Sequence, residues 1–225
     1  IVLFFPQTDA VAALLAVFSI YAAGNIVRIL GAICFGQIGD TYGRQRALIY
    51  SITLMAVPAV LISITPSYAV IGITSSILLV MYRLLQGFAL GGEYQGNAIF
   101  LVERSHKYQG LAGSWIVTMV GLGMLLASSV ATLVTAPGSP AYLWRFAFLL
   151  GGLVGVLALY VRYRLNETPR FQQAMHNKQI AKIPVATIFK KYPKQFILAL
   201  LISMGAASYN YSLVFLPTYF TFIHQ

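Results

Sequence analysis

Gly36-Gln37-Ile38-Gly39-Asp40-Thr41-Tyr42-Gly43-Arg44-Gln45-Arg46 is short, charged and punctuated by glycines, and it lies between two long apolar runs. Residues 10–35 before it hold one charge, Arg28, and residues 47–82 after it hold none. Apolar runs of that length, joined by a tight basic turn, read as one membrane helix leaving the bilayer and another re-entering it. The basic residues place the turn on the cytoplasmic side. Gly43 permits a sharp reversal, and Asp40 can pair with Arg44 or Arg46 or face a helix N-terminus.

The rest of the chain has the same character. Hydrophobic residues make up 59% of the 225 and charged residues 9%, against about 25% charged in soluble proteins. With a mean hydropathy of +0.78, the chain reads as an integral membrane protein. The net charge of +10 does not signal nucleic acid. Twelve of the fifteen Lys and Arg fall in three inter-helix segments, leaving Arg28, Arg83 and Arg145. That distribution orients a membrane protein and builds no basic face for a duplex. The single cysteine, Cys34, sits in an apolar run and reads as a small buried residue. The chain opens on Ile1 and stops at Gln225 just after an apolar run, so a fragment is expected.

Six apolar spans emerge, at 10–36, 46–65, 69–102, 111–136, 142–163 and 195–223. Each approaches or exceeds the roughly 20 residues that cross about 30 Å of hydrocarbon. The connections split by parity. Residues 36–46, 103–110 and 162–194 are basic and are assigned to the cytoplasm. Residues 1–9, 65–69 and 137–141 carry only Asp9 and are assigned to the outside. Thr168-Pro169 opens a short helix through His176, and Ile183-Pro184 to Lys191 reads as a second amphipathic piece. Segment 166–194 either lies on the inner membrane surface or is a solvated linker. The bilayer is therefore an expected partner and nucleic acid is not.

Charges inside spans carry the chemistry. An Arg near the middle of a span costs about 2.5–3.5 kcal/mol on insertion scales, which calls for a partner or an aqueous cavity. Arg28 lies eight residues, roughly 12 Å, from residue 36 and can partly snorkel. Arg83 lies deeper. Each is either an interhelical brace or an electropositive site for a carboxylate or zwitterion. Glu93 is the one acidic residue between Asp40 and Glu103. A desolvated carboxylate holds its proton to higher pH, as a proton carrier requires; gating and interhelical tethering are the alternatives. Asn25, Gln86, Gln95 and Asn97 offer neutral hydrogen bonds to substrate or between helices. Gly87/Gly91, Gly92/Gly96 and Gly151/Gly155 sit four apart and allow close helix approach. No enzyme motif is present, His106, His176 and His224 are scattered, and nothing calls for a metal or a cofactor.

The opening turn resembles the loop between the second and third helices of the major facilitator superfamily. Gly36, Asp40, Gly43, Arg44 and Arg46 occupy the pattern; Thr41 departs from its usual Arg. Arg83-Leu84-Leu85-Gln86-Gly87, followed by Gly91-Gly92-Glu93, is similar to the superfamily's fourth-helix motif. Its Gly-Gly-Glu extension resembles one branch, the metabolite:proton symporters, which carry dicarboxylates, citrate, oxoglutarate, shikimate and proline/betaine. Phe4-Phe5-Pro6, Arg28-Ile29-Leu30-Gly31, Trp144-Arg145-Phe146, Glu167-Thr168-Pro169-Arg170-Phe171 and Leu216-Pro217-Thr218-Tyr219 agree with that branch, although Ile29 stands where proline is usual.

The resemblance implies an all-α membrane protein, a partial facilitator bundle with six transmembrane helices corresponding to family helices two to seven. Residues 1–165 would be an amino-terminal bundle lacking its first helix, 166–194 a cytoplasmic inter-domain loop, and 195–225 the first helix of the other half. The implied function is a proton-coupled symporter of the bacterial inner membrane that imports a small organic anion or zwitterion, truncated here and inactive alone. Arg28, Arg83, Gln86 and Asn25 would bind substrate, Glu93 would couple protons, and Asp40, Gly43, Arg44 and Arg46 would gate. The competing readings are a non-transporting membrane interaction remnant and an exporter of the same fold. Against the exporter, the fourth span lacks the proline of the antiporters.

Overall fold

The computed structural model describes residues 4–5, 10–105, 107–140, 142–177 and 192–204, with side chains of the first helix described from Ser19 onward. The chain divides into two units, residues 1–180 and 181–225. The first holds α1 (Ala10–Tyr42), α2 (Arg44–Ile64), α3 (Tyr68–Ile71), α4 (Ile73–Arg104), α5 (Gln109–Val134), α6 (Leu143–Arg164) and α7 (Pro169–His176). In the second, α8 (Pro193–Met204) is described. Among the described residues there is no strand.

Among the described residues, five helices are long and apolar enough to cross a membrane: α1 from Ser19, α2, α4, α5 and α6. The expected sixth span at 195–223 lies largely outside the described residues, as does the amphipathic piece at 183–191. Two expected boundaries move. The turn read at 36–46 contracts to one residue, because helix continues through Tyr42 and restarts at Arg44. Only Gly43, at φ 117°, leaves helical space. The span placed at 69–102 begins at Ile73, because Gly72 at φ 58° separates the short α3 from α4. Both positions favour a residue without a Cβ. The short helix expected from Thr168-Pro169 to His176 is present as α7, with Thr168 as its N-cap and Pro169 at its first position.

The outer surface is unlike that of a soluble protein. Ser51, Ser63, Ser75, Ser76 and Thr168 are buried, while Met124, Leu125 and Leu126 on α5 are about two-thirds exposed. In water such a surface would aggregate; in hydrocarbon it is the solvated side. Cys34, expected to be buried, is exposed on this surface.

With little hydrophobic drive between helices in lipid, close packing depends on small residues. α1 lies against α4 through glycine. A Cβ on Gly87 would stand 2.5 Å from the carbonyl oxygen of Gly24, and one on Gly91 would stand 2.5 Å from the backbone nitrogen of Ala32. Gly92 abuts Phe35, and Gly96 abuts Leu48 of α2. On α6 the close pair is Gly152 and Gly155, against Val60 and Ala56 of α2; Gly151, expected in that role, faces open space. At the far end of the bundle from the α1–α2 turn, Phe4 packs with Ile62, Leu79 and Trp144. Its carbonyl accepts a hydrogen bond from Ser76 Oγ.

Candidate functional site

Two constellations stand out, one at the α1–α2 turn and one along α4. At the turn, Gly43 occupies the N-cap position of α2 and has no side chain to offer the first free backbone N–H groups. Glu167 takes that role from 122 residues away: its Oε2 accepts from the Gln45 backbone N–H at 3.0 Å, and its Oε1 from the Thr168 N–H at 2.9 Å. A carboxylate at a helix N-terminus also opposes the helix dipole favourably. Arg44 pairs with Asp40 one turn back and reaches Glu103 of α4 at 3.7 Å. Glu103 Oε2 accepts from Thr168 Oγ1 at 2.7 Å, and the same Thr168 oxygen accepts from the Phe171 N–H at 3.3 Å. Gln45 donates through Nε2 to the Arg162 carbonyl at 3.0 Å. One network thus ties α1, α2, α4, α6 and α7 together. Of the four gating residues expected from sequence, Asp40, Gly43 and Arg44 meet here. Arg46 is exposed and enters none of these bonds.

Along α4 the two flanks differ. Gly87, Gly91 and Gly92 face α1, while the opposite side carries Gln86, Glu93, Asn97 and Phe100 at the spacing of one helical stripe. Arg83 projects to α6, its guanidinium 5.5 Å from the centre of the Phe148 ring. One of its η nitrogens donates to Gln86 Oε1 at 3.3 Å. Arg83 Nε is buried without a hydrogen-bond partner. Cation–π contact tolerates such a group without saturating its donors.

Glu93 is held on both oxygens. Asn97 Nδ2 donates to Oε1 at 2.7 Å, and Ser51 of α2 lies 2.5 Å from Oε2. Ser51 Oγ is also 3.0 Å from the Leu48 carbonyl. A hydroxyl has one proton and two lone pairs. Either Ser51 donates to an ionised Glu93, or it donates to Leu48 and accepts from a protonated Glu93. The same heavy-atom geometry serves both states of the carboxylate. Glu93, Phe100, Arg104, Ala158 and Arg162 line a cavity of about 430 Å³ between α2, α4 and α6.

The expected substrate residues do not converge. Arg83 and Gln86 are bonded on α4, whereas Arg28 is half-buried on α1, which packs on the glycine flank, and Asn25 is exposed. α1 continues fourteen residues, roughly 21 Å, past Arg28 to Tyr42, so the helix end lies farther from Arg28 than the expected boundary at residue 36. Sequence reasoning missed Glu103, Ser51, Phe148 and Arg162. Glu167-Thr168-Pro169 carried a capping signal, but nothing local showed that Glu167 would cap a different helix.

Among the described residues, five membrane-length helices with an apolar outer surface and a charge-locked turn at one face define a helical membrane bundle. The sequence profile described as Sugar (and other) transporter matches residues 6–194, and the chain belongs to that family, within the major facilitator superfamily. It is 38% identical over 175 residues to the proline/betaine transporter of Salmonella typhimurium, covering 76% of this chain and 35% of that protein. To the shikimate transporter of Escherichia coli K12 it is 34% identical over 201 residues, covering 86% and 46%. The inward-open conformation of the E. coli xylose transporter XylE superposes with a TM-score of 0.66 at 20% identity, covering 91% of this chain and 49% of that one. The chain spans less than half the length of these relatives. It is a multi-pass protein of the bacterial inner membrane and belongs to a family of transporters, not of enzymes.

Proposed function

We propose that this chain is part of a proton-coupled symporter of the metabolite:proton symporter type, importing a small organic acid or a zwitterionic osmolyte. The observation that carries the reading is the polar side of α4. A half-buried arginine whose Nε–H is buried and unused, Arg83, and a carboxylate bonded to a hydroxyl that can reverse, Glu93, occupy one helix ten residues apart. Proline, betaine and shikimate, named in the relatives, each carry a carboxylate, which a guanidinium binds through paired donors. Glu93 takes up and releases the proton. The Asp40–Arg44–Glu103 network closes the inner side while two helical halves rock about the site. Arg28 and Asn25 on α1 serve as secondary substrate contacts, and Arg46 as an outlying gate charge.

The test uses the transporter that contains this chain. Glu93→Gln fixes the protonated shape without a releasable proton, so counterflow exchange survives and uphill uptake driven by a pH gradient collapses. Uphill accumulation at the wild-type level in Glu93→Gln removes the proton-carrier role. Arg83→Ala abolishes uptake and Arg83→Lys recovers little, because an ammonium lacks the planar fork. Normal transport by a normally inserted Arg83→Ala reduces Arg83 to a brace against Phe148.

A further inference from the structure

Arginine side chains are long and flexible, so an arginine that binds substrate needs something to hold it in place. Among the described residues Arg83 has two such contacts. Gln86, on its own helix, accepts from one η nitrogen at 3.3 Å. Phe148 of α6 presents its ring with the centre 5.5 Å from the guanidinium carbon. The amide takes one guanidinium N–H donor and the ring takes none. A brace inside hydrocarbon would direct its donors to carbonyls and hydroxyls of neighbouring helices. Arg83 instead keeps its Nε–H buried and unused. Phe148 is itself held. Trp144, one turn earlier on α6, meets it edge to face with ring centres 6.1 Å apart, and Phe4 meets Trp144 in the same way at 5.4 Å. Phe4 is 2% exposed and packs with Ile62 of α2 and Leu79 of α4. Its carbonyl accepts from Ser76 Oγ. Three rings in series thus run from a buried anchor to the guanidinium.

We infer that Phe148 is the positioning residue for Arg83: its ring, backed by Trp144 and Phe4, fixes the guanidinium and leaves N–H donors for the substrate carboxylate. The inference rests on the substrate-binding role proposed for Arg83 and adds the group that orders it in advance. An arginine free to move must lose side-chain freedom when it grips a carboxylate, whereas one already held by a ring has lost that freedom before substrate arrives. The gain is affinity, felt equally by the bound state and the step that follows. Removing the ring therefore raises KM and leaves the maximal rate alone. A ring that only filled space between α4 and α6 would act through its size, not through the charge on its face.

The experiment replaces Phe148, in the transporter that contains this chain, by phenylalanines carrying successively more ring fluorines. These keep the shape of the ring while draining the negative charge from its face. Uptake of radiolabelled proline, betaine and shikimate is measured. KM of the transported compound rises with each fluorine, and by about three- to tenfold in Phe148→Leu, at an unchanged maximal rate. Phe148→Tyr, which keeps the ring face, stays close to wild type. The same fluorinated residues at Phe146, exposed on the same helix, leave KM where it was. A flat KM across the Phe148 series overturns the inference, as does an equal rise at Phe146. A second measurement needs no uptake. In nanodiscs, NMR of arginine-labelled protein, with the Arg83 signal identified by its loss in Arg83→Lys, shows the guanidinium losing order in Phe148→Leu. A guanidinium as ordered as in wild type overturns the inference. The two readings fail separately. A flat series alongside an inactive Arg83→Ala removes Phe148 and leaves Arg83 as the substrate contact, whereas normal transport by Arg83→Ala removes the substrate role itself.

Discussion

Replacing Gly87 by alanine adds one methyl group within the close-packed α1–α4 seam. That methyl would stand 2.5 Å from the Gly24 carbonyl oxygen, 2.9 Å from its Cα and 3.0 Å from its carbonyl carbon. Ordinary contact begins near 3.4 Å. All three opposing atoms are backbone, so no rotamer change relieves the overlap and the two helices must part by about 1 Å. A gap of that size forfeits roughly a quarter to a half of the dispersion attraction of each pair it opens. The neighbouring contacts at Gly91 and Gly92 open with it. We expect Gly87→Ala to lower stability by about 1–3 kcal/mol, the usual range for overpacking. Gly123→Ala is the control: nothing lies within 4 Å of its added methyl, and it changes stability little or raises it through helix propensity. The assay is reversible unfolding of the purified protein in mixed micelles, followed by fluorescence of Trp115 and Trp144. A Gly87→Ala variant as stable as Gly123→Ala would refute the close-packed seam.

At the inner turn, Gly43→Ala places a Cβ on a residue at φ 117° and against the Glu167 carboxylate, so it costs about 1–3 kcal/mol by the same unfolding assay. Glu167→Ala removes the substitute cap of α2 and costs about 0.5–2 kcal/mol; because both changes disturb one contact, the double variant falls short of the sum. For orientation, in a Cys34→Ala background a cysteine at Lys107 is labelled only from the cytoplasm and one at Ser139 only from outside, and reversed labelling refutes the topology.

The sequence alone determined that this is a helical membrane protein, and it predicts which way the chain is threaded. Hydrocarbon forces every backbone polar group into an internal hydrogen bond, so a long apolar run leaves few options beyond a helix. The basic residues at alternate connections then orient it. Gly43, Thr168 and Pro169 marked their turns because conformational freedom at glycine, a capping hydroxyl and a ring without an N–H act within a few residues. Helix ends were less legible. The stretch Gly36–Tyr42 looks polar enough for a loop, yet it stays helical because α1 projects beyond the hydrocarbon and Arg44 neutralises Asp40 one turn away. What only the tertiary structure decided is which side chains meet. Glu167 caps α2 across 122 residues, Ser51 reaches Glu93 across 42, and Arg162 leaves the set of loop cations to stack on the Phe100 ring. Helix periodicity gives each residue a face, but the neighbour of that face is chosen by where glycines let two backbones touch. In α4 those glycines drew α1 to one flank and so turned Arg83 and Glu93 toward α2 and α6.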